Sequence, residues 1–172
     1  LRRARAERDA LQKRARDEGE NFKIAAWDWR YYAEKERKAR YDLDEAEVRS
    51  YLALENVVEA AFDTAGKLFG IVFEERSDVP VYHPDVRAWE VKTKGGDHVG
   101  LFYGDYYARP SKRSGAWMSS YRTQQKLTGD VRPIVVNVMS VARGAPGTPT
   151  LLSFDYARTL FHELGHGLHG LL

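Results

Sequence analysis

The amino-acid sequence predicts an α+β fold that is mostly α-helical and carries a small antiparallel β-sheet. Three observations support this prediction. Residues 1–70 have helical patterns, first of alternating charges and then of apolar residues at helical spacing, short β-type runs separated by turn signals occupy residues 71–152, and residues 153–172 return to a helical pattern. With 172 residues the chain is long enough to enclose a hydrophobic core. We therefore expect one domain built from a helical part, a sheet part and a final helix.

The first two predicted helices carry many charges. Residues 1–20 alternate Arg and Lys with Asp and Glu, which is typical of a solvent-exposed helix with i,i+4 ion pairs, and Gly19 is expected to end it. A nucleic-acid-binding arm would carry like charges in a block instead. Residues 21–40 contain several Trp and Tyr residues, so we expect a second helix whose aromatic side chains pack inward as core.

A third helix is predicted over residues 45–68, where apolar residues keep the helical period throughout. Asp42 or Asp44 can cap its start, because a carboxylate accepts hydrogen bonds from the free backbone N–H groups of a first turn. Gly70 is expected to end it, since glycine readily adopts the left-handed conformation that closes many helices.

The hydrophobic period changes after residue 70, which predicts the sheet. A short β-type run covers residues 71–73, and strands are predicted over residues 86–94, 98–107 and 134–139. Two glycines within residues 94–97 supply the positive φ angles that a tight hairpin turn requires. The runs over residues 86–94 and 98–107 should therefore pair as an antiparallel hairpin.

The composition excludes several classes of protein. A formal net charge of +2 is too small to indicate a nucleic-acid or anionic-membrane partner, so we expect neither. The absence of cysteine excludes disulfides and thiolate metal sites, so metal ligands must be His, Asp or Glu. No apolar run is long enough to span a bilayer. We expect a cytoplasmic protein, although the composition does not exclude the periplasm.

The strongest chemical signal is an H-E-x-x-H pattern formed by His162, Glu163 and His166. On a helix, residues four apart share a face with their Cβ atoms roughly 5–6 Å apart. Both imidazoles could then reach one Zn²⁺ ion at about 2.0–2.1 Å. Glu163 would point to the side where the attacking water lies and could take its proton. The pattern predicts His162 and His166 as metal ligands and Glu163 as the catalytic base.

This prediction requires that residues 153–172 form a helix. At about 100° per residue, a set of large apolar side chains falls within an arc of roughly 120°; these are Leu160, Phe161, Leu164, Leu168, Leu171 and Leu172. Ser153 or Asp155 can cap the start. Glycines at positions 165, 167 and 170 each cost about 1 kcal/mol relative to Ala, so we expect a neighbour or a substrate to approach the backbone there.

The motif is short, and an ordinary amphipathic helix can contain it by chance. The apolar arc opposite the histidines favours the metal site. His169 shares the histidine face, but the longer H-E-x-x-H-x-x-G-x-x-H pattern needs Gly at 168 and His at 172, where this chain has Leu. We therefore expect His169 to pack beside the ligands without binding metal. His83, in a proline-containing loop, is expected to form a loop hydrogen bond.

Further segments, in collinear order, resemble one family. They are WDWRYY and EK within residues 27–35, LFGI at 68–71, HPDV at 83–86, LFY at 101–103 with Asp105, KRSGAWM at 112–118, RP at 132–133 with Asn137, and TLFHELGH at 159–166. The family is the thimet oligopeptidase-like zinc metallopeptidases, and the most similar branch is bacterial peptidyl-dipeptidase (dipeptidyl carboxypeptidase). Leu164 stands where the family usually has Phe, and Tyr156 where an acidic residue is common. Neither is a ligand position.

The resemblance implies a mostly helical, two-lobed peptidase with a deep channel and a small sheet beside the zinc. It implies Zn²⁺ as cofactor, His162 and His166 as ligands and Glu163 as general base. The family's third ligand is a Glu on a following helix, expected beyond Leu172 together with the groups that bind substrate and stabilise the oxyanion. The chain begins and stops inside helical patterns, so residues 1–172 are expected to be a partial catalytic domain, inactive alone.

A substrate-binding edge is predicted beside the zinc, where a basic, polar loop leads into a segment with small residues. Its residues are Gly115, Ala116, Trp117 and Met118. An extended peptide could add to such an edge as a further strand, using backbone hydrogen bonds.

The predicted function is zinc-dependent hydrolysis of short peptides with release of C-terminal dipeptides. One alternative is an oligopeptidase of the same family that cuts internally, because the cut position depends on subsites that lie partly beyond these residues. Another is a non-catalytic, helical peptide-binding module, which the intact pair of histidines and the glutamate disfavour. We expect short peptides as partners and a monomeric full-length protein.

Overall fold

The computed structural model describes residues 2–42 and 44–172 of the chain; Leu1, in the predicted first helix, and Leu43, before the third, lie outside the described residues. The helices of this part are α1 (Arg2–Asp17), α2 (Trp29–Tyr41), α3 (Glu45–Ser50), α4 (Leu54–Phe69) and α5 (Phe154–Leu171). The strands are β1 (Ile71–Glu75), β2 (Arg87–Thr93), β3 (His98–Tyr107), β4 (Trp117–Arg122) and β5 (Ile134–Val141). This combination confirms the α+β class. The chain forms two compact units, one ending at Val48 and the other spanning residues 49–172.

The first unit is held together by a small apolar cluster between α1 and α2. Leu11 and Ala15 of α1 pack with Tyr32 of α2. Arg14 Nε donates to Glu36 Oε2 at 2.8 Å and joins the same two helices. Most other side chains of α1 are exposed, as its alternating charges predict.

The second helix is shorter than predicted, because it begins at Trp29 and not near residue 21. The cause is a side chain of α1. Gln12 accepts a hydrogen bond from the Ile24 backbone N–H and donates one to the Phe22 carbonyl, both at 2.9 Å. These backbone groups are therefore engaged outside any helix, which leaves the segment before Trp29 irregular.

The expectation that the aromatic side chains of this segment pack inward was wrong for most of them. Trp27 is 85% exposed and Tyr31 is 58% exposed, whereas Tyr32 is buried. The apolar surface that α1 offers to α2 is narrow, with Leu11 as its large member, so one aromatic ring is enough to cover it.

The predicted third helix is broken into α3 and α4 at residues 51–53. The break has a tertiary cause. Ala53 forms an isolated antiparallel bridge with Leu151, and the Leu54 backbone N–H donates to the Thr150 carbonyl at 2.8 Å. The backbone at the break thus pairs with a distant segment, which satisfies its polar groups and removes the need to continue the helix.

The ends of these helices follow the predicted capping residues. Asp44 Oδ1 accepts from the Ala46 backbone N–H at 2.8 Å at the start of α3. Gly70 follows α4 with φ of +68°, and its N–H donates to the Gly66 carbonyl at 3.0 Å.

The second unit is built on a five-stranded sheet in the order β1-β2-β3-β5-β4 among the described residues. β2 and β3 form the predicted antiparallel hairpin, and Gly96 in its turn has φ of +94°. Trp89 and Val91 are both buried, as their alternation on one face of β2 predicts.

The sheet is mixed, which corrects the expectation of an antiparallel sheet. β1–β2, β2–β3 and β4–β5 are antiparallel, but β3 and β5 are parallel. After β3 the chain crosses to the edge of the sheet and runs back as β4. It then reverses once more and forms β5, which lies between β3 and β4. Two reversals restore the direction of β3, so the pairing must be parallel.

Both faces of the sheet carry apolar clusters. α4 and α5 belong to the larger cluster together with Phe102 and Val135. The smaller cluster on the other face includes Tyr103, Val136 and Val138. Because Phe102 and Tyr103 are neighbours, their burial on opposite faces follows the period of two along a strand. The sheet therefore places α5 against one face only.

Across residues 2–42 and 44–172, none of the helices combines the length and the apolar character that crossing a membrane requires.

Candidate active site

The histidines and the glutamate of the H-E-x-x-H pattern lie on α5, which forms as predicted. Ser153 is its N-cap and accepts from the Tyr156 backbone N–H through its side chain at 3.2 Å. Leu160, Leu164 and Leu171 of the predicted arc are buried. Phe161 is 41% exposed, so the helix buries a narrower stripe than the sequence predicts. The opposite face of α5 is left for the histidines.

The imidazole rings of His162 and His166 converge. Their Nε2 atoms are 3.1 Å apart and their ring planes are nearly perpendicular, at 89°, with centroids 4.7 Å apart. Both side chains are exposed. Two nitrogen ligands at about 2.0–2.1 Å from one tetrahedral ion would be roughly 3.3–3.4 Å apart. The observed separation therefore suits two ligands of a single metal ion.

Glu163 faces a groove between α5 and β4. The residue is 8% exposed, unlike the histidines on either side of it. The groove has a volume of about 610 Å³ and is lined by Ala116, Trp117, Met118, Glu163, His166, His169 and Gly170. The carboxylate is thus withdrawn from bulk water but open to a molecule bound in the groove.

Of the four predicted substrate residues, Ala116, Trp117 and Met118 line this groove. Gly115 is not among the lining residues and precedes β4 with φ of +104°, a conformation that favours glycine. β4 is an edge strand that pairs with β5 on one side, and no other described strand pairs with it. The structure therefore brings an open strand edge and Glu163 to the same groove.

Two of the three glycines of the motif helix are sites of close approach, as the sequence predicts. A Cβ on Gly167 would lie 3.2 Å from Asn137 Oδ1 and 3.2 Å from Phe102 Cε2. A Cβ on Gly170 would lie 2.6 Å from Met118 Cε. Gly165 differs, because a Cβ there would meet no atom within 4 Å. The small residues at 167 and 170 let α5 lie directly on β4 and β5.

Asn137 is a polar residue of this interface that the sequence reasoning named without assigning it a role. It is 1% exposed, and its Oδ1 has no hydrogen-bond partner among the described residues. Its register partners are Gly104 and Met118, so it projects from the sheet toward α5. The sequence carried one signal for this residue, because Asn137 is a polar residue within the apolar run of β5. A buried amide normally forms hydrogen bonds, so an amide at this position calls for a partner.

The described residues contain no group of three or more His, Asp or Glu side chains placed to hold a metal ion. His169 lines the groove beside His166. His83 lies in a loop, where its Nδ1 accepts from the Asp85 backbone N–H at 3.2 Å, the loop hydrogen bond expected from the sequence. Within the described chain the candidate site therefore consists of His162, His166 and Glu163.

Comparison with known proteins places the chain in a family. The family model described as peptidase family M3 matches residues 1–172. The chain belongs to peptidase family M3. The resemblance that the sequence motifs indicate is thereby confirmed.

Relatives of this M3 chain include peptidases from bacteria and plants. It is 49% identical over 151 residues to dipeptidyl carboxypeptidase of Salmonella typhimurium, covering 87% of the chain and 22% of that protein. It is 36% identical over 179 residues to oligopeptidase A of Escherichia coli, covering 94% and 26%. It is 36% identical over 171 residues to organellar oligopeptidase A of Arabidopsis thaliana, covering 94% and 22%. The M3 chain thus spans about a quarter or less of the length of these curated relatives.

Proposed function

We propose that this chain carries part of the active site of a zinc-dependent metallopeptidase that hydrolyses short peptides. One observation carries the proposal: His162 and His166 converge to an Nε2–Nε2 distance of 3.1 Å. Glu163 opens into the groove beside them, which is also bordered by an edge strand. A pair of nitrogen ligands, a shielded carboxylate and an open strand edge are parts that metal-assisted peptide hydrolysis can use.

His162 and His166 would hold the zinc ion as neutral imidazoles. Catalytic zinc generally has three protein ligands, so a third is required. We propose a Glu from a segment beyond Leu172, as the family resemblance implies. When bound, zinc acts as a Lewis acid that polarises the scissile carbonyl and makes the attacking water more acidic.

Glu163 would act as the general base and then as the general acid. Its carboxylate takes a proton from the attacking water as the new C–O bond forms. It then delivers that proton to the leaving nitrogen as the C–N bond breaks, so that an amine and a carboxylic acid are released. The low exposure of Glu163 favours this role, because it keeps most of the side chain out of contact with bulk water.

β4 would orient the substrate. An extended peptide lying along its free edge can form backbone hydrogen bonds in the manner of an added strand. Such bonds do not depend on the peptide's side chains, so they suit an enzyme that accepts varied short peptides. Trp117 and Met118 would contact the side chains of the peptide, since both residues line the groove.

The cleavage mode that we propose is removal of C-terminal dipeptides. The relative at 49% identity is named dipeptidyl carboxypeptidase, whereas the relatives whose names contain oligopeptidase A are 33–37% identical. Internal cleavage of oligopeptides is the second candidate, because both kinds of relative match most of the chain. A non-catalytic peptide-binding protein is the candidate from another class.

Substitution of Glu163 tests the catalytic proposal in the full-length protein. We expect Glu163→Gln to retain zinc, measured by elemental analysis, and to reduce kcat by about 10³-fold or more, because the base is lost while the ligands remain. Glu59→Gln, at an exposed position of α4, is the matched control and should behave as wild type. Near-native hydrolysis by Glu163→Gln would contradict the proposed base. A wild-type protein that binds peptides without cleaving them would favour the non-catalytic candidate.

The cleavage mode is tested by comparing two peptides of the same sequence, one with a free C-terminal carboxylate and one with a C-terminal amide. Release of a dipeptide from the free form alone would support the peptidyl-dipeptidase. Equal cleavage of both forms at internal bonds, identified by mass spectrometry, would support the oligopeptidase.

A further inference from the structure

A buried ionic network lies at the end of β3, on the chain segment that leads to the groove. At its centre is Asp105, which is 1% exposed. Its two carboxylate oxygens accept four hydrogen bonds: from Arg109 Nη1 at 2.7 Å and Nη2 at 2.8 Å, from Lys112 Nζ at 3.0 Å, and from Tyr82 OH at 2.9 Å. A carboxylate offers about four lone-pair sites, so Asp105 is fully satisfied.

Lys112 is equally well satisfied, although its side chain is only 5% exposed. Besides the Asp105 carboxylate, its ammonium donates to the Asp105 carbonyl at 2.9 Å and to the Tyr107 carbonyl at 2.7 Å. An ammonium has three donors, and all three have acceptors here. The loop that carries Lys112 is thus tied back to the end of β3 by a buried side chain.

This loop, residues 108–116, joins β3 to β4 and ends at the groove. Arg109 and Lys112 hold its first half on Asp105. Its second half is held by Ser140 of β5, whose Oγ donates to the Arg113 carbonyl at 2.9 Å. After three more residues the chain enters β4 at Trp117, a groove-lining residue. The position of the edge strand therefore depends on where the network fixes the loop.

The strand register adds a second link between Asp105 and the groove. Asp105 and Trp117 both pair with Val138, so the three residues form a row across β3, β5 and β4. Tyr82, which donates to Asp105, also packs edge-on against Tyr121 of β4, with ring centroids 6.2 Å apart. The network thus supports β4 from the face of the sheet opposite α5.

We propose that Asp105 is a positioning residue for substrate binding: through Arg109, Lys112 and Tyr82 it fixes the 108–116 loop and holds the free edge of β4 at the spacing from Glu163 that an extended peptide requires. The inference rests on the proposed function, because it assigns the edge of β4 to peptide binding. It concerns affinity for peptide, since Asp105 itself does not line the groove.

The test uses the full-length protein with two substitutions in the network. Asp105→Asn keeps the shape of the side chain but removes the charge that two cations share, and it leaves their burial uncompensated. Lys112→Met is the milder variant, because Asp105 keeps Arg109 and Tyr82. Lys67→Met, at an exposed position of α4 with a side chain 75% exposed, is the matched control.

Hydrogen exchange followed by mass spectrometry measures loop position without depending on activity. We expect amides of residues 113–119 to exchange at least about tenfold faster in Asp105→Asn and Lys112→Met, and to be accelerated by a larger factor than amides of α5 and of β2, whose exchange follows the loss of global stability. The control should show wild-type rates throughout. Unchanged exchange in residues 113–119, or the same acceleration in residues 113–119, α5 and β2, would overturn the proposal.

Steady-state kinetics on a free-carboxylate peptide provide the second readout. A positioning role predicts that KM rises at least about tenfold while kcat stays within about threefold of wild type, because the base and the ligands are untouched. Zinc content should also be unchanged. A fall in kcat with constant KM would contradict the inference. If the wild-type protein cleaves no peptide, the proposed function fails, and the exchange measurement still decides whether the network holds the loop.

Discussion

Gly170 of α5 lies so close to Met118 of β4 that a Cβ on the glycine would come within 2.6 Å of the methionine Cε. The same Cβ would lie 3.0 Å from Val135 Cγ1. A contact of this kind limits how near the motif helix can come to the edge strand, which forms the other wall of the groove that Glu163 faces. A larger residue at position 170 would therefore affect the groove by changing how α5 packs on β4.

Gly170→Ala and Gly165→Ala should differ in stability although both replace a helical glycine. Gly165→Ala is expected to raise the free energy of unfolding by about 0.5–1 kcal/mol, because alanine favours helix and no atom lies within 4 Å of the new methyl. Gly170→Ala should raise the free energy of unfolding by less than Gly165→Ala does, or lower it, because Met118 and Val135 must move to make room for the methyl group. Urea denaturation of both variants measures the difference. Equal stabilisation would show that Met118 yields without cost.

Zinc should bind weakly to the 172-residue chain, because the described residues supply His162 and His166 and contain no larger group of ligands. Catalytic zinc sites use three protein ligands. We expect affinity in titrations to be weaker than about 1 µM and to fall further in His166→Ala. His169→Ala is the matched control on the same helix and should leave affinity unchanged. Stoichiometric submicromolar binding accompanied by peptide hydrolysis would place the full ligand set within these residues.

Stability should depend on pH through Asp105. Burial alone would raise the pKa of this carboxyl, but hydrogen bonds from Arg109, Lys112 and Tyr82 lower it below its ordinary value. A carboxyl with a lowered folded-state pKa adds stability that is complete above its unfolded pKa of about 3.9 and is lost as the pH falls through the folded value.

Asp105→Asn should therefore be less stable than wild type at pH 7, and its stability should fall less steeply below about pH 4. Urea midpoints across this range, followed by tryptophan fluorescence, test the expectation. Asp63→Asn, an exposed carboxyl of α4, is the control and should give a curve close to that of wild type. Parallel curves for Asp105→Asn and wild type would show that the network contributes no pH-dependent stability.

Peptide binding along the edge of β4 should require backbone N–H groups of the substrate. We expect N-methylation of a single substrate amide on the N-terminal side of the scissile bond to raise KM about tenfold, because it removes one donor and adds a clash with the strand. Methylation of a side-chain amide in the same peptide is the control. If no backbone position is sensitive in a scan of singly N-methylated peptides, the substrate does not bind as an added strand.

The sequence by itself determined features that depend on a few neighbouring residues. Ser153 caps α5 as predicted, and Gly96 adopts a positive φ in the predicted hairpin turn. The four-residue spacing of His162 and His166 was enough to place both rings on one face of a helix. Caps, turns and helical periodicity act within about four positions, so a short window of sequence contains the whole cause.

Only the tertiary structure decided where distant segments meet. It inserted β5 between β3 and β4, which made one strand pair parallel, and it broke the predicted third helix where Ala53 pairs with Leu151. It also buried Asp105 against Tyr82 and placed Glu163 in a groove whose other wall is β4. These outcomes depend on pairing and burial between residues far apart in the chain. The free energy gained from those contacts outweighs the local helix or strand propensity. A local sequence pattern does not contain the distant partner, so it cannot predict these contacts.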